Sequence, residues 1–291
     1  PISCIQRPET GRELTFSHLN PAPEKKKILV IGGGPAGMKA TAVAASRGHS
    51  VKLIEATSKL GGQVNLAERL PGRSEFGGIT TNLENMLRTQ DVEIKLNTEA
   101  SLQLIREEAP EVIILATGGK SFEPKIEGKE SAHVVTAWQL LEGKANVGSR
   151  VVIADWRCDW VGLGVAELLA RQGCHVRLAC NGMVPGQTIN QYVRDNWLGT
   201  LHKLNVETLT HLRLRGVDSD DTYFQHTLSE QPVILNDVDT LVTAFGSKAK
   251  NTLEKDLRNK VQSELYVIGD ALSPRSVEEA ILDGLKTSAK I

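Results

Sequence analysis

The chain has 291 residues, 26 of them Gly, with 40% hydrophobic and 4% aromatic residues. That composition excludes a disordered tail, a collagen-like chain and a small disulfide-stapled scaffold. Lys+Arg number 34 against 35 Asp+Glu, a net charge of −1, so the totals carry no footprint for nucleic acid or an anionic membrane.

Residues 1–26 read as an irregular lead-in, with prolines at both ends and no signal-peptide pattern. Lys27-Ile28-Leu29-Val30-Ile31 then forms a short buried-strand run, followed at once by glycines and by helical sequence to Arg47. Val51-Lys52-Leu53-Ile54-Glu55 is a second strand, and strand, glycine turn, helix and strand together make a βαβ unit. A helix is predicted over 79–89, then strands from Val92 to Leu96 and from Glu111 to Ala116. A second βαβ unit opens near Arg150, with strand Val151-Val152-Ile153, a helix from about Gly162 to Gln172 and a strand from His175 to Cys180. A strand at Thr240–Phe245 closes that unit, and the last strand, Leu265–Ile268, precedes a helix from Val277 to Lys286.

Two βαβ units beginning about 120 residues apart imply an α/β fold with two Rossmann-like three-layer dinucleotide-binding domains, the second inserted in the first. The expected organisation is a lead-in over 1–26 and a first dinucleotide-binding domain over 27–127 plus 262–291. A connector over 128–148 leads to an NAD(P)-like domain over 149–261. No apolar run approaches the ~20 residues a membrane helix needs. The four cysteines, Cys4, Cys158, Cys174 and Cys180, lack regular spacing, which suggests a reducing, cytoplasmic setting.

Gly32-Gly33-Gly34-Pro35-Ala36-Gly37 fits G-x-G-x-x-G between a strand and a helix. Gly32 permits the turn, Gly34 lets backbone approach a pyrophosphate, and Gly37 lets the helix lie close to the strand. The helix N-terminus offers N–H groups to the phosphates, and Glu55, ending the second strand, stands where a carboxylate accepts from ribose hydroxyls. Three later segments complete the pattern: Leu60-Gly61-Gly62-Gln63, Ala116-Thr117-Gly118-Gly119 and Ile268-Gly269-Asp270. In the last, the acid suits a ribityl hydroxyl. A glycine turn without a ligand is the competing reading of the first motif, and a plain turn that of Gly269-Asp270.

The second unit departs from this pattern. Its turn reads Asp155-Trp156-Arg157-Cys158-Asp159-Trp160-Val161-Gly162-Leu163-Gly164. The first two glycines are absent, two acids stand near the pyrophosphate position, and Gly162 or Gly164 remains for helix–strand packing. Lost nicotinamide nucleotide binding is the favoured reading, with binding through a longer Trp-bearing loop as its alternative. There is no Cys-x-x-Cys to mark a disulfide reductase, and Cys158, Cys174 and Cys180 read as structural thiols. No catalytic acid, base or nucleophile is assigned within the chain.

Taken together, Ile2-Ser3-Cys4 with Gly11-Arg12-Glu13, the GGGPAG turn, the run from Gly61 through Ala67 to Pro71-Gly72-Arg73, Ala116-Thr117-Gly118 and Ile268-Gly269-Asp270 resemble one family. It is the C-terminal half of the iron–sulfur flavoenzymes related to trimethylamine dehydrogenase and 2,4-dienoyl-CoA reductase (old-yellow-enzyme-like NADH:flavin oxidoreductases). The resemblance implies an oxidoreductase fragment that is not self-sufficient. It implies FAD, or ADP in the same pocket, at Gly32, Gly34, Gly37, Glu55, Gln63 and Asp270, with Gly33, Pro35, Ala36, Gly62, Thr117, Gly118 and Gly269 around them.

It further implies a TIM-barrel partner, as a separate subunit or a missing N-terminal half, carrying FMN and the substrate. A [4Fe–4S] cluster is shared with that partner, and Cys4 matches its fourth cysteine. Starting at Pro1 just before that cysteine, the chain reads as one half of a larger redox protein. An electron-transfer protein is a further implied partner. The degenerate second motif, with Asp270-Ala271 and later Pro274-Arg275, leans toward the amine dehydrogenase and demethylase branch. A dienoyl-CoA-reductase-like NAD(P)H module and a non-catalytic, nucleotide-stabilised assembly module are the alternatives.

Overall fold

A computed structural model describes residues 3–258 and 260–291. The chain folds as two compact units. One runs to Glu68 and resumes over Ser74–Lys120 and Ser247–Ile291; the other comprises Arg69–Arg73 and Ser121–Gly246.

In chain order the first stretch holds α1 (Glu13–Phe16), β1 (Lys27–Ile31), α2 (Pro35–Ser46), β2 (Ser50–Ile54), α3 (Val64–Ala67), α4 (Gly77–Arg88), β3 (Val92–Lys95), α5 (Leu102–Glu108), β4 (Val112–Leu115) and β5 (Gly119–Ser121). Then come β6 (Val134–Thr136), α6 (Ala137–Leu141), β7 (Arg150–Asp155), α7 (Trp160–Arg171), β8 (His175–Cys180), α8 (Gln191–Lys203), β9 (Glu207–Leu209), β10 (Leu212–Val217), β11 (Thr222–His226), β12 (Pro232–Leu235) and β13 (Thr240–Ala244). The chain ends with β14 (Ser247–Ala249), α9 (Thr252–Arg258), β15 (Glu264–Val267) and α10 (Val277–Ser288).

The first unit is built on a parallel sheet in the order β15-β4-β1-β2-β3. Its central strands are covered on both faces, which is why they read as unbroken apolar runs rather than as alternating ones. Val112, Ile113 and Ile114 are fully buried, and Ile28, Leu29 and Val30 nearly so. On one face α2 and α10 pack through small residues. A Cβ added at Gly284 would strike the carbonyl oxygen of Ala36 and stand 3.0 Å from the nitrogen of Ala40. The Ser288 hydroxyl donates to the Ala40 carbonyl at 2.9 Å, and Arg47 donates to the Ser288 carbonyl at 3.0 Å. The lead-in is held to this unit by an ion pair at 2.7 Å between Nζ of the buried Lys39 and Oε1 of the half-buried Glu9.

The second unit repeats the plan in the order β6-β13-β7-β8-β9, again parallel, and adds an antiparallel sheet of β10, β11 and β12. Several expected boundaries move: residues 69–73 and 121–127, expected in the first domain, belong to the second unit. Residues 128–148 are no connector, because Val134–Thr136 pairs with Leu241–Thr243 and forms the edge of the second sheet. Residues 247–261 fall within the first unit, where Leu257 of α9 is buried in the core of that sheet. The lead-in also contains a helical turn, α1, that its composition does not announce.

Candidate functional site

In the first unit, strand order reverses at the β4–β1 pair, the position where open α/β sheets bind ligands beyond their strand ends. Two turns meet there. Gly32 has φ +110, and a Cβ on it would collide with the Ala116 carbonyl oxygen and lie 3.1 Å from Thr117 N. Gly37 fails in the same way against the Gly32 carbonyl oxygen. Both glycines are therefore required by packing. Gly34 differs: around its missing Cβ only Gly62 Cα is found, at 4.0 Å. It is the N-cap of α2, and no side chain caps that helix end. Pro35 occupies the first helical position, where its lack of an N–H costs nothing.

The acid at the end of β2 is fixed from two sides. Glu55 Oε2 accepts from Gly33 N at 2.7 Å, while Oε1 accepts from the N and Oγ1 of Thr57, both at 2.8 Å. The Gly61-Gly62 turn docks on the first glycine turn, with Gly61 N donating to the Gly33 carbonyl at 2.9 Å. Gly61 and Gly62 both have positive φ, +107 and +53. Gln63 Nε2 donates to Asp270 Oδ2 at 2.8 Å and lies 3.9 Å from the point a Cβ on Gly118 would occupy. The second oxygen of Asp270 accepts from Arg275 N at 3.1 Å. Thr117 Oγ1 donates to the Lys250 carbonyl at 2.5 Å. Gly269, at φ +59, sits against Ala36, whose Cβ is 2.8 Å from the position a Cβ there would take. The fold thus brings all thirteen nucleotide-site residues expected from the sequence to the ends of β1, β2, β4 and β15.

The corresponding place in the second unit is occupied by its own side chains. Asp155 is the last residue of β7, as Ile31 is of β1, and Gly162, the third residue of α7, answers Gly37, the third residue of α2. A Cβ on Gly162 would collide with the Asp155 carboxyl group. Gly164 instead faces Leu70, both of whose methyl carbons lie 2.9 Å from its missing Cβ, so Gly162 is the helix–strand glycine. Asp159 caps α7, its Oδ1 accepting from Val161 N at 3.0 Å. Trp156 stacks on Phe245 at 5.9 Å between centroids, over the ends of β7 and β13. Arg73 lies 3.7 Å above the Trp160 ring.

Asp155 is 2% exposed. Its Oδ1 accepts from Cys158 N at 2.8 Å, while Oδ2 has no partner. Burial, with the negative groups of Cys158 and Asp159 nearby, holds this carboxyl well above the usual carboxylate range. Cys158 and Cys180, which spacing alone keeps apart, come together here because β7 and β8 are adjacent, with Asp155 paired to Cys180.

Cys4 is a half-exposed free thiol, and Ile2 of the same motif lies outside the described residues. Among the described residues no group of three or more His, Cys, Asp or Glu side chains could hold a metal. One thiolate cannot hold a four-iron cluster, which needs four ligands, so Cys4 by itself forms no such site. No described helix is long and apolar enough to cross a membrane.

Two linked α/β units, one with an intact dinucleotide turn and one with a filled turn, define a nucleotide-fold oxidoreductase. Residues 26–284 match the family described as pyridine nucleotide-disulphide oxidoreductase, and the chain belongs to that family. It is 33% identical over 97% of its length to a bilirubin reductase of Mediterraneibacter gnavus, covering 44% of that protein. It is 29% identical over 98% of its length to an N,N-dimethylglycine/sarcosine dehydrogenase of Chromohalobacter salexigens, covering 47% of that protein.

Among solved structures, a 2-naphthoyl-CoA reductase superposes with a TM-score of 0.91 at 33% identity, over 99% of this chain and 43% of the other. The chain therefore spans under half the length of these relatives. The resemblance to the iron–sulfur flavoenzymes of the trimethylamine dehydrogenase and dienoyl-CoA reductase type is borne out by these matches.

Proposed function

We propose that the chain is the nucleotide-binding half of a larger flavoenzyme, holding FAD, or ADP in the same pocket, in its first unit. The observation that carries this reading is Gly34, an uncapped helix N-terminus with open space where its Cβ would point. The residues suit the group: the first turn of α2 aims N–H groups at a pyrophosphate, and Glu55 is held ready for ribose hydroxyls. Asp270, oriented by Gln63 and Arg275 N, is positioned for a ribityl hydroxyl. Bound FAD would supply one- and two-electron chemistry, while the chain binds, orients and shields it.

In this reading the half relays electrons to or from an FMN/[4Fe–4S] module on a TIM-barrel partner, and Cys4 supplies the fourth cluster ligand beside three from that partner. The substrate class is a methylated amine, oxidised or demethylated on the partner, as the name of the N,N-dimethylglycine/sarcosine dehydrogenase suggests for that protein. An electron-transfer protein is the proposed external partner. The second unit takes no part in nicotinamide binding: Asp159 already satisfies the helix end, Asp155 fills the turn, and Trp156 on Phe245 covers the switch point.

The test is the cofactor content of the purified protein together with anaerobic mixing. Released FAD, and a bound flavin that neither NADH nor NADPH bleaches, is the expected result. A colourless protein containing ADP would end the relay role while keeping the pocket. Rapid bleaching by either nicotinamide would favour the NAD(P)H-reductase reading.

A further inference from the structure

The filled turn of the second unit leaves two thiols that no part of the proposed electron relay uses. Cys158 and Cys180 are each 0% exposed. They come from different elements: Cys180 ends β8, and Cys158 lies in the loop between β7 and α7. Both sulfurs converge on one residue, Gly182. Cys180 Sγ approaches the Gly182 carbonyl oxygen at 3.6 Å, and Cys158 Sγ is 3.0 Å from where a Cβ on Gly182 would sit. The glycine thus leaves room for sulfur.

Cys158 is also held in an unusual backbone state. Its φ is +50, a left-handed conformation that strains a non-glycine residue. Three hydrogen bonds fix it there. Its N–H donates to Asp155 Oδ1 at 2.8 Å, and its carbonyl accepts from Thr188 N at 3.2 Å and Thr188 Oγ1 at 2.9 Å. The Sγ stands 3.3 Å from Asn181 Oδ1.

We propose that Cys158 and Cys180 are a dithiol modification site that closes to a reversible disulfide when a small hydroperoxide reaches it. The neighbouring Cys180 thiol brings the Cys158 thiol down to about 7, and the same proximity together with burial drives that of Cys180 up. Cys158 is therefore the attacking sulfur. Burial pushes the adjoining Asp155 carboxyl up, which disfavours a full negative charge beside the two sulfurs. In the first step the Cys158 sulfur attacks the terminal oxygen of the hydroperoxide. The O–O bond breaks, Cys158 becomes a sulfenic acid, and the alkoxide leaves as an alcohol, or as water from hydrogen peroxide. In the second step the Cys180 sulfur attacks the Cys158 sulfur, the S–OH bond breaks, and hydroxide leaves as water with the Cys180 proton. Two thiols lose two electrons and two protons, and the hydroperoxide gains them. The oxidant must pass the 181–190 segment, which lacks helix and strand; hydrogen peroxide is close to water in size, so a brief local opening suffices.

The test treats the whole chain with hydrogen peroxide under native conditions, alkylates it in denaturant and maps the peptides. The expected result is a dithiothreitol-reversible loss of two of the four thiols, with a cross-linked peptide pair carrying Cys158 and Cys180. Cys174→Ser should leave that pair unchanged. Cys180→Ser should convert the product to a Cys158 sulfenic acid that dimedone traps. Full alkylation of both Cys158 and Cys180 after treatment, or a disulfide joining either to Cys174 or Cys4, overturns the proposal. The wild-type mapping decides the matter even if a variant fails to fold.

Discussion

Single atoms separate residues needed for folding from those available to a ligand. Gly37→Ala puts a methyl group on the Gly32 carbonyl oxygen, an overpacking that should cost roughly 1–3 kcal/mol. It should lower the urea midpoint whether or not a nucleotide is bound. Gly34→Ala meets open space, and its φ of −77 suits any residue. Its midpoint without nucleotide should match wild type, while FAD or ADP content after purification drops about 10-fold or more, the scale of one or two lost backbone contacts. Asp155 carries a pH prediction. Its folded-state proton is held above the unfolded value near 3.9. Above that pH the unfolded chain releases a proton that the native state keeps, so stability falls as pH rises toward the folded value. Asp155→Asn should flatten the loss of stability that urea unfolding records as pH rises above about 4. An equal slope in both proteins would show that the site is ionised when folded.

Helices and strands show what the sequence made legible. The runs at β1, β4 and β7 stand out because their stretches buried on both faces, Ile28–Ile31, Val112–Leu115 and Val151–Ala154, are apolar throughout. The glycine turn between β1 and α2 stands out because each of its packing glycines is forced by a neighbouring atom. The second turn was equally legible as a departure, since acids and tryptophans cannot serve as close-approach glycines. Other elements were hidden. The edge strand β6 is only three residues long, and its place depends on pairing with β13, more than 100 residues away. The antiparallel β10–β12 sheet mixes exposed and buried positions, so neither alternation nor a continuous run marks it. The Cys158–Cys180 pair left no trace because adjacency of β7 and β8, not spacing, creates it. Thr136 links β6 to α6 through a capping box, accepting from Gln139 N at 3.1 Å while Gln139 Oε1 accepts from Thr136 N at 2.8 Å. Thr136→Ala should cost about 1 kcal/mol, visible as a lower urea midpoint with an unchanged slope.

For the molecule as a whole, the short stretch Arg69–Arg73 has the widest reach. It lies between two pieces of the first unit in sequence but belongs to the second. There Leu70 faces Gly164, Arg69 donates to the Leu141 carbonyl, and Arg73 covers Trp160. The second unit is therefore no simple insertion at one point of the first, and a gene fragment for 121–246 would omit part of its own packing. Such a fragment should unfold at lower urea than one carrying 69–73 fused ahead of it, and the difference should shrink if Leu70 is replaced by Ala in the fusion. The same stitch bears on how this architecture diversifies. A recombination event that exchanged residues 121–246 for a relative's would inherit five foreign residues on which the new unit must still close. Exchange is then restricted to donors that accept a leucine and two arginines at those places, and whole-chain inheritance becomes the easier route.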